Sequence, residues 1–213
     1  FIPINIYQKN SGLSKTLEVT WTNGQLVLDS KNTNYSYGSL QRILRKGLKS
    51  IGFENIVGME AILVLGVAGG SVIKTLTDEI HYKGKITGVE LDPEIIQIAN
   101  DYFKLNEIPN LEIVIDDAFE FVLKTKEKYD LILIDIFHDT VMTNFLFEKF
   151  FIDRIGLILK KNGFILFNTM TLNEKSNTRN LQYLTAFDKK AVHCVTIPRV
   201  QRHNKINEVQ KIC

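Results

Sequence analysis

Four polar turns, each closing an apolar run, hold the residues of this chain whose types and spacing could do chemistry. Ile62-Leu63-Val64-Leu65 runs into Gly66-Val67-Ala68-Gly69-Gly70-Ser71, Lys85 to Val89 ends on Glu90, Leu111 to Ile115 leads to Asp117, and Asp130 to Ile134 ends on Asp135. Short apolar runs bounded by turns read as buried strands, and α/β sheets bind ligands in the crevice at the carboxyl ends of such strands. Gly66 permits a tight turn and lets a ligand approach the backbone, and the free amides at the start of the next helix favour a carboxylate or phosphate. Glu90 follows Gly66 by 24 residues, near the offset of an acid that holds ribose hydroxyls. Asp117 reads either as an acceptor for an exocyclic amine, with the Ala118 amide beside it, or as the N-cap of the helix it opens. Asp135 closes a strand too apolar to need a charge, and a carboxylate there is costly unless it meets a ligand, a cation or water. Together these residues predict a pocket for a nucleoside.

The stretch Asp135-Ile136-Phe137-His138-Asp139 forms the expected mouth of that pocket, with Asp135, His138 and Asp139 as the candidate catalytic groups. His138 is the histidine nearest the crevice and is a candidate acid or base, although a loop histidine is also commonly just solvated. His81, His193 and His203 lack carboxylate or cysteine partners at ligand spacing, so no metal site is expected.

Positioning these residues requires alternating strands and helices, hence a parallel sheet covered by helices on both faces. Strands are predicted near 61–66, 85–90, 110–115, 129–135 and 163–169. Helices are predicted near 70–81, 93–104, 118–127, 143–160 (broken) and 174–186. Asp92-Pro93-Glu94 has the cap, the first-position proline and the first-turn acid of a helix start. Leu40, Ile43, Leu44, Leu48 and Ile51 form the apolar stripe of an earlier helix over 39–50, which Gly52 stops. Residues 1–37 read as a β-hairpin region turning at Asn23-Gly24, ahead of a larger unit over 38–213. The runs 191–197 and 206–212 read as a terminal hairpin that adds an antiparallel edge.

Composition narrows the class. The 213 residues are 45% hydrophobic and 23% charged, the mix of an ordinary globular protein. A net charge of +2 is too small to imply nucleic acid or an anionic membrane. The basic stripe Arg42, Arg45, Lys46 and Lys49 reads as a solvated helix face, and the basic tail from Lys189 to Lys211 has no aromatic stacking platform. No apolar run approaches the roughly 20 residues of a membrane helix, and the first residues lack the pattern of a signal peptide. Cys194 and Cys213 give no disulfide framework, so a reducing cytoplasm is the expected compartment.

These residues resemble the class I S-adenosylmethionine-dependent methyltransferase fold, in its spermidine-synthase-like branch. Leu63 to Ser71 is similar to that branch's glycine loop, and Gly88-Val89-Glu90-Leu91-Asp92-Pro93 to its ribose-binding strand and helix. Asp117-Ala118-Phe119-Glu120-Phe121 is similar to its adenine-side motif, Tyr129 to Asp135 to its fourth strand, and Glu148 to Phe164 to the helix and fifth strand that follow. The resemblance implies a seven-stranded Rossmann-like sheet with an antiparallel last strand. It also implies that Gly66, Ala68, Gly69, Gly70 and Ser71 border the methionine part of the donor, Glu90 holds its ribose, Leu91 packs on adenine, Asp117 and Ala118 read the adenine edge, and Asp135 lies beside the sulfonium.

Three departures shape the functional expectation. Aminopropyltransferases of this branch carry an aspartate where Gly69 stands, and that anion would repel the carboxylate of intact S-adenosylmethionine. Tyr35-Ser36-Tyr37-Gly38-Ser39 stands where a Tyr-His-Glu substrate segment is expected, and Ile136-Phe137-His138 replaces a small polar run. Only Asp135 and Asp139 are left to meet a polycation. The expected activity is therefore methyl transfer from S-adenosylmethionine to a small-molecule acceptor, by a chain whose N-terminal region could supply either a homodimer contact or a lid over the site. The alternatives are a polyamine aminopropyltransferase using the decarboxylated donor, a nicotinamide-dependent oxidoreductase, and a non-catalytic nucleoside-binding protein. Ala68 and Ser71 stand at the second and third glycine positions of the dinucleotide fingerprint and argue against the oxidoreductase.

Overall fold

The computed structural model describes residues 2–30, 34–137, 142–201 and 204–213. Its first four strands are β1 (Ile4–Ser11), β2 (Lys15–Thr22), β3 (Gln25–Ser30) and β4 (Asn34–Ser36), joined antiparallel in chain order. The expected hairpin is β2 and β3. Its turn uses Asn23 at φ 50° and Gly24 at φ 81°, the paired positive φ angles that match a two-residue loop to strand twist. The region holds more than that hairpin, because β1 pairs on β2 and β4 on β3.

After the helices α1 (Gly38–Ile51) and α2 (Phe53–Val57), strand and helix alternate. They are β5 (Ala61–Leu65), α3 (Ser71–Lys74), β6 (Lys85–Glu90), α4 (Pro93–Phe103), β7 (Leu111–Ile115), α5 (Ala118–Lys124), β8 (Tyr129–Ile134), α6 (Lys149–Ile158), β9 (Leu159–Met170), α7 (Glu174–Thr185), β10 (Val192–Gln201) and β11 (Asn204–Lys211). The second sheet has the order β10-β11-β9-β8-β5-β6-β7. Strands β5 to β9 run parallel, and β11 lies antiparallel between β9 and β10.

One predicted helix differs in detail, and another breaks as expected. The helix expected over 70–81 is α-helical only to Lys74 and continues as a π-helical turn over Thr75–Glu79. The one expected over 143–160 divides into a 3-10 turn, Asn144–Phe147, and α6. The short α2, after the Gly52 stop at φ 95°, carries no stripe long enough to predict.

Alternation along the strands divides the core into two layers. Ile62 and Val64 of β5 and Leu131 and Leu133 of β8 face Ile43, Leu44 and Leu48 of α1. Their neighbours Leu63, Leu65, Ile132 and Ile134 face Phe151, Ile152 and Ile155 of α6 and Tyr183 of α7. All four strand-centre pairs are fully buried, as central parallel strands require. A third cluster seats the N-terminal sheet: Leu17, Val19 and Leu28 pack on Ile95, Ile98 and Phe103 of α4. No helix among the described residues is long and apolar enough to cross a membrane.

Candidate active site

From β5 the chain steps outward to β6 and β7 on one side, then returns to β8 and β9 on the other. The resulting crevice lies beyond the carboxyl ends of β5 and β8, where such folds bind ligands. Backbone bonds continue the ladder past the strand ends: Asp135 N to Leu65 O at 2.9 Å and Gly66 N to Val89 O at 3.0 Å. Gly66 has φ 87°, and a Cβ there would lie 2.3 Å from the carbonyl oxygen of Asp135. Only glycine brings the β5 turn and Asp135 this close.

Glu90 meets four backbone amides. Oε2 accepts from Val67 N and Ala68 N, both at 3.0 Å, and Oε1 accepts from Leu91 N at 2.9 Å and Asp92 N at 3.2 Å. Those four bonds fill the lone pairs of a carboxylate. Burial still raises its pKa, with the amides pulling the other way. The free loop amides expected from the sequence are thus largely engaged within the fold. Gly70 N donates to Val67 O at 2.9 Å, and Ser71 N to Ser36 Oγ at 3.2 Å. Glu90→Ala should lower unfolding stability by about 2 kcal/mol even without ligand, since several amides lose a charged acceptor at once. Chemical denaturation checks this, and an unchanged midpoint would mean that the four amides are not held by this carboxylate.

The turn between β1 and β2 covers the crevice. Ser11 Oγ and Ser14 Oγ donate to Asp92 Oδ2 at 2.5 and 2.6 Å, while Asp92 Oδ1 caps α4 through Glu94 N at 3.0 Å. Asp92 is buried, and these three bonds supply the partners that its oxygens need there. Under this turn Leu13, Gly66, Glu90, Leu91, Asp135 and Phe137 border one cavity of about 80 Å³. Sites for drug-sized ligands span roughly 300–1,000 Å³. The cavity is smaller than a nucleoside needs, and the Leu13–Ser14 turn is the wall that closes it on the side of the N-terminal sheet.

Asp135 is half-buried and accepts from Asn168 Nδ2 at 2.8 Å, and Asn168 Oδ1 accepts from Asn204 Nδ2 at 3.1 Å. Burial pushes the Asp135 carboxyl up to about 6, with the Asn168 bond opposing the shift. Sequence reading missed both asparagines. Asn168 is fully buried within β9, and one amide inside an apolar run was the available signal.

Of the remaining candidate residues, Asp117 caps α5, its Oδ1 accepting from Phe119 N at 2.7 Å. Asp117 and Ala118 stand at the end of the edge strand β7, outside the walls of the cavity. Asp116 N nevertheless bonds Glu90 O at 3.1 Å, so this strand end adjoins that of β6. Gly69 faces the N-terminal sheet: a Cβ there would lie 2.8 Å from Ser36 Cβ and 3.3 Å from the Tyr37 ring. His138 and Asp139 lie outside the described residues.

The profile of the spermine/spermidine synthase domain matches residues 42–206, most of the chain and every strand end described above. The chain belongs to the spermine/spermidine synthase domain family. Among curated relatives of this family member, the polyamine aminopropyltransferase of Vibrio vulnificus is 28% identical over 131 residues, covering 60% of this chain and 44% of the relative. That of Sulfurisphaera tokodaii is 26% identical over 151 residues, covering 61% and 50%. An eEF1A lysine and N-terminal methyltransferase homolog of Drosophila melanogaster is 32% identical over 78 residues, covering 35% of this chain and 11% of the relative. The matched part thus spans about half the length of the aminopropyltransferases. In fold, a spermidine synthase solved with the transition-state analogue AdoDATO superposes with a TM-score of 0.75 at 18% identity, covering 97% of this chain and 73% of that one. Human methyltransferase-like protein 13 in complex with SAH gives 0.58 at 18% identity, covering 82% and 79%.

Proposed function

We propose that this chain is a transferase that moves a group from an S-adenosyl donor to a small acceptor, with aminopropyl transfer to an amine as the leading reading. The observation that carries it is Asp135, a carboxyl with its pKa near 6 at the switch point of the sheet, bordering the same cavity as Glu90. An amine attacks only after losing its proton, and a carboxylate so tuned can take that proton near neutral pH. The donor's sulfonium supplies the leaving group, so the protein's work is positioning rather than nucleophilic attack. Glu90 and the Gly66 turn would hold the ribose side, with hydroxyls replacing some of the amides now on Glu90. Leu91 would pack against the base, and Asp117 with Ala118 would bound its far edge. The curated relatives named as polyamine aminopropyltransferases favour the decarboxylated donor.

Methyl transfer, the activity expected from the sequence, is kept as a second reading on one observation. Gly69 places no anion in the glycine loop, and Ser36 and Tyr37 fill the space that a longer side chain would need. Nothing at that position repels the carboxylate of intact S-adenosylmethionine.

Calorimetric titration with decarboxylated S-adenosylmethionine, the intact form and NAD, followed by mass analysis of products, separates the readings. Tighter binding of the decarboxylated donor and an aminopropylated product are expected. Preference for the intact donor with a methylated product would replace the leading reading by the second, and NAD as the tightest ligand would overturn both.

A further inference from the structure

We propose that the acceptor carries an anionic group, a carboxylate or phosphate, held by Arg179 on α7, beside the end of β9 that carries Asn168, the partner of Asp135. This rests on reading Asp135 as the residue that meets the acceptor.

Arg179 lies on α7, which follows β9, and it is half-buried. Its guanidinium stands 4.0 Å above the Phe147 ring, and Nη2 approaches the Met142 sulfur at 3.3 Å. Neither neighbour is a counter-ion, and no carboxylate pairs with Arg179 among the described residues. Burial lowers its pKa, yet a guanidinium stays charged in any protein setting. A cation drawn partly out of water without an anion is costly, and the cost is relieved if a ligand brings one.

The position fits the acceptor end. The Met142 sulfur also accepts from Met170 N at 3.4 Å, and Asn180 Nδ2 donates to Met170 O at 2.8 Å. Met170 follows Asn168, the partner of Asp135, by two residues on one strand, a rise of roughly 7 Å. Arg179 is thereby connected to Asp135 through Met142, the backbone of Met170 and Asn168.

Unsatisfied groups collect at the same place. Among the described residues, the buried polar atoms lacking a hydrogen-bond partner include Arg179 Nε, Thr143 Oγ1 and Asn180 Oδ1. Thr143 adjoins Met142, and Asn180 adjoins Arg179. Buried polar groups are nearly always paired, so these atoms call for partners that a ligand group or an ordered water would supply. Arg179 Nε and the Thr143 hydroxyl are donors suited to an oxyanion, and Asn180 Oδ1 would accept from an amine or hydroxyl beside it. A diamine without an acid would place a second positive charge near Arg179. An amino acid or amino phosphate would satisfy both ends of this stretch.

The test follows backbone amide resonances of Met142, Thr143 and Met170 while inorganic phosphate, succinate or putrescine is added to the whole chain. Saturable shifts are expected with phosphate or succinate, the stronger of the two identifying the anion class, and none with putrescine. Arg179→Gln should weaken that binding roughly tenfold or more, the loss expected for a charge-assisted hydrogen bond, and Arg179→Lys should restore part of it. Shifts with putrescine at lower concentration than with either anion, or no saturable anion shift, would overturn the proposal without any variant. Turnover with donor present gives a second readout: ornithine, which is putrescine bearing one carboxylate, should be the better acceptor, and R179Q should erase that preference. Donor binding measured on the same samples separates the two levels. If no S-adenosyl donor binds, the transferase reading fails; if the donor binds while anions and R179Q change nothing, only the Arg179 assignment fails.

Discussion

Gly66→Ala is expected to lower unfolding stability by about 3 kcal/mol and to abolish donor binding, because two independent costs coincide. The first is conformational: φ 87° is a left-handed angle that an alanine adopts only under strain. The second is steric: the new methyl would stand 2.3 Å from the Asp135 carbonyl oxygen, a backbone atom fixed by its own strand. Relief requires β5 and β8 to part at the point where the ligand crevice opens, so stability and binding should fall together. Gly156→Ala on α6 is the natural control, since a Cβ there meets nothing within 4 Å. It should stabilise by a few tenths to about 1 kcal/mol through helix propensity. Denaturant unfolding of both variants, with calorimetry of the S-adenosyl donors, decides the matter. Equal midpoints for G66A and the unmodified chain would mean that the turn is not under this constraint.

The same turn illustrates why some of the site was readable in the sequence. Gly66 and Asp135 each sit at the polar end of an uninterrupted apolar run, and Glu90 ends the buried strand Ile86-Thr87-Gly88-Val89, so the strand that is buried also fixes the residue's position. Parallel order then brings the three ends together without further information. What followed from partners rather than from runs was less visible. The four amides on Glu90 depend on the conformation of two turns, and that conformation turned expected free donors into satisfied ones. Ser11 and Ser14 look like ordinary hairpin-turn residues, yet their partner Asp92 is 81 and 78 residues away. Arg179 is not singled out in the sequence, because Phe147 and Met142, which lie against it, are more than 30 residues away. Asn168 was accessible by the reasoning that singled out Asp135, namely a polar group where the strand has no need of one.

Asp135→Asn is expected to lower turnover by on the order of 10²–10⁴, the usual effect of losing a positioned base, while making the folded chain more stable at pH 8. The sign follows from burial. Folding raises this carboxyl from an ordinary value near 4 to about 6, so the folded state favours its neutral form. That contribution to stability is fully present below about pH 4 and is lost as pH climbs through 6, the loss amounting to about 2–3 kcal/mol above pH 7. Asparagine carries no charge to desolvate, and its carbonyl can still accept from Asn168 Nδ2. The variant should therefore gain stability over the unmodified chain above pH 7 and show little difference near pH 4. The rate profile should mirror this. The limb of kcat/KM in the unmodified chain should rise with an apparent pKa near 6 as the carboxylate forms, and D135N should lack that limb. Thermal unfolding at pH 4 and pH 8 with matched rate measurements tests both halves. A variant that loses stability at pH 8 would show that the charge on Asp135 is held by compensating groups rather than opposed by burial, and the carboxyl could not then serve as a base tuned in this way.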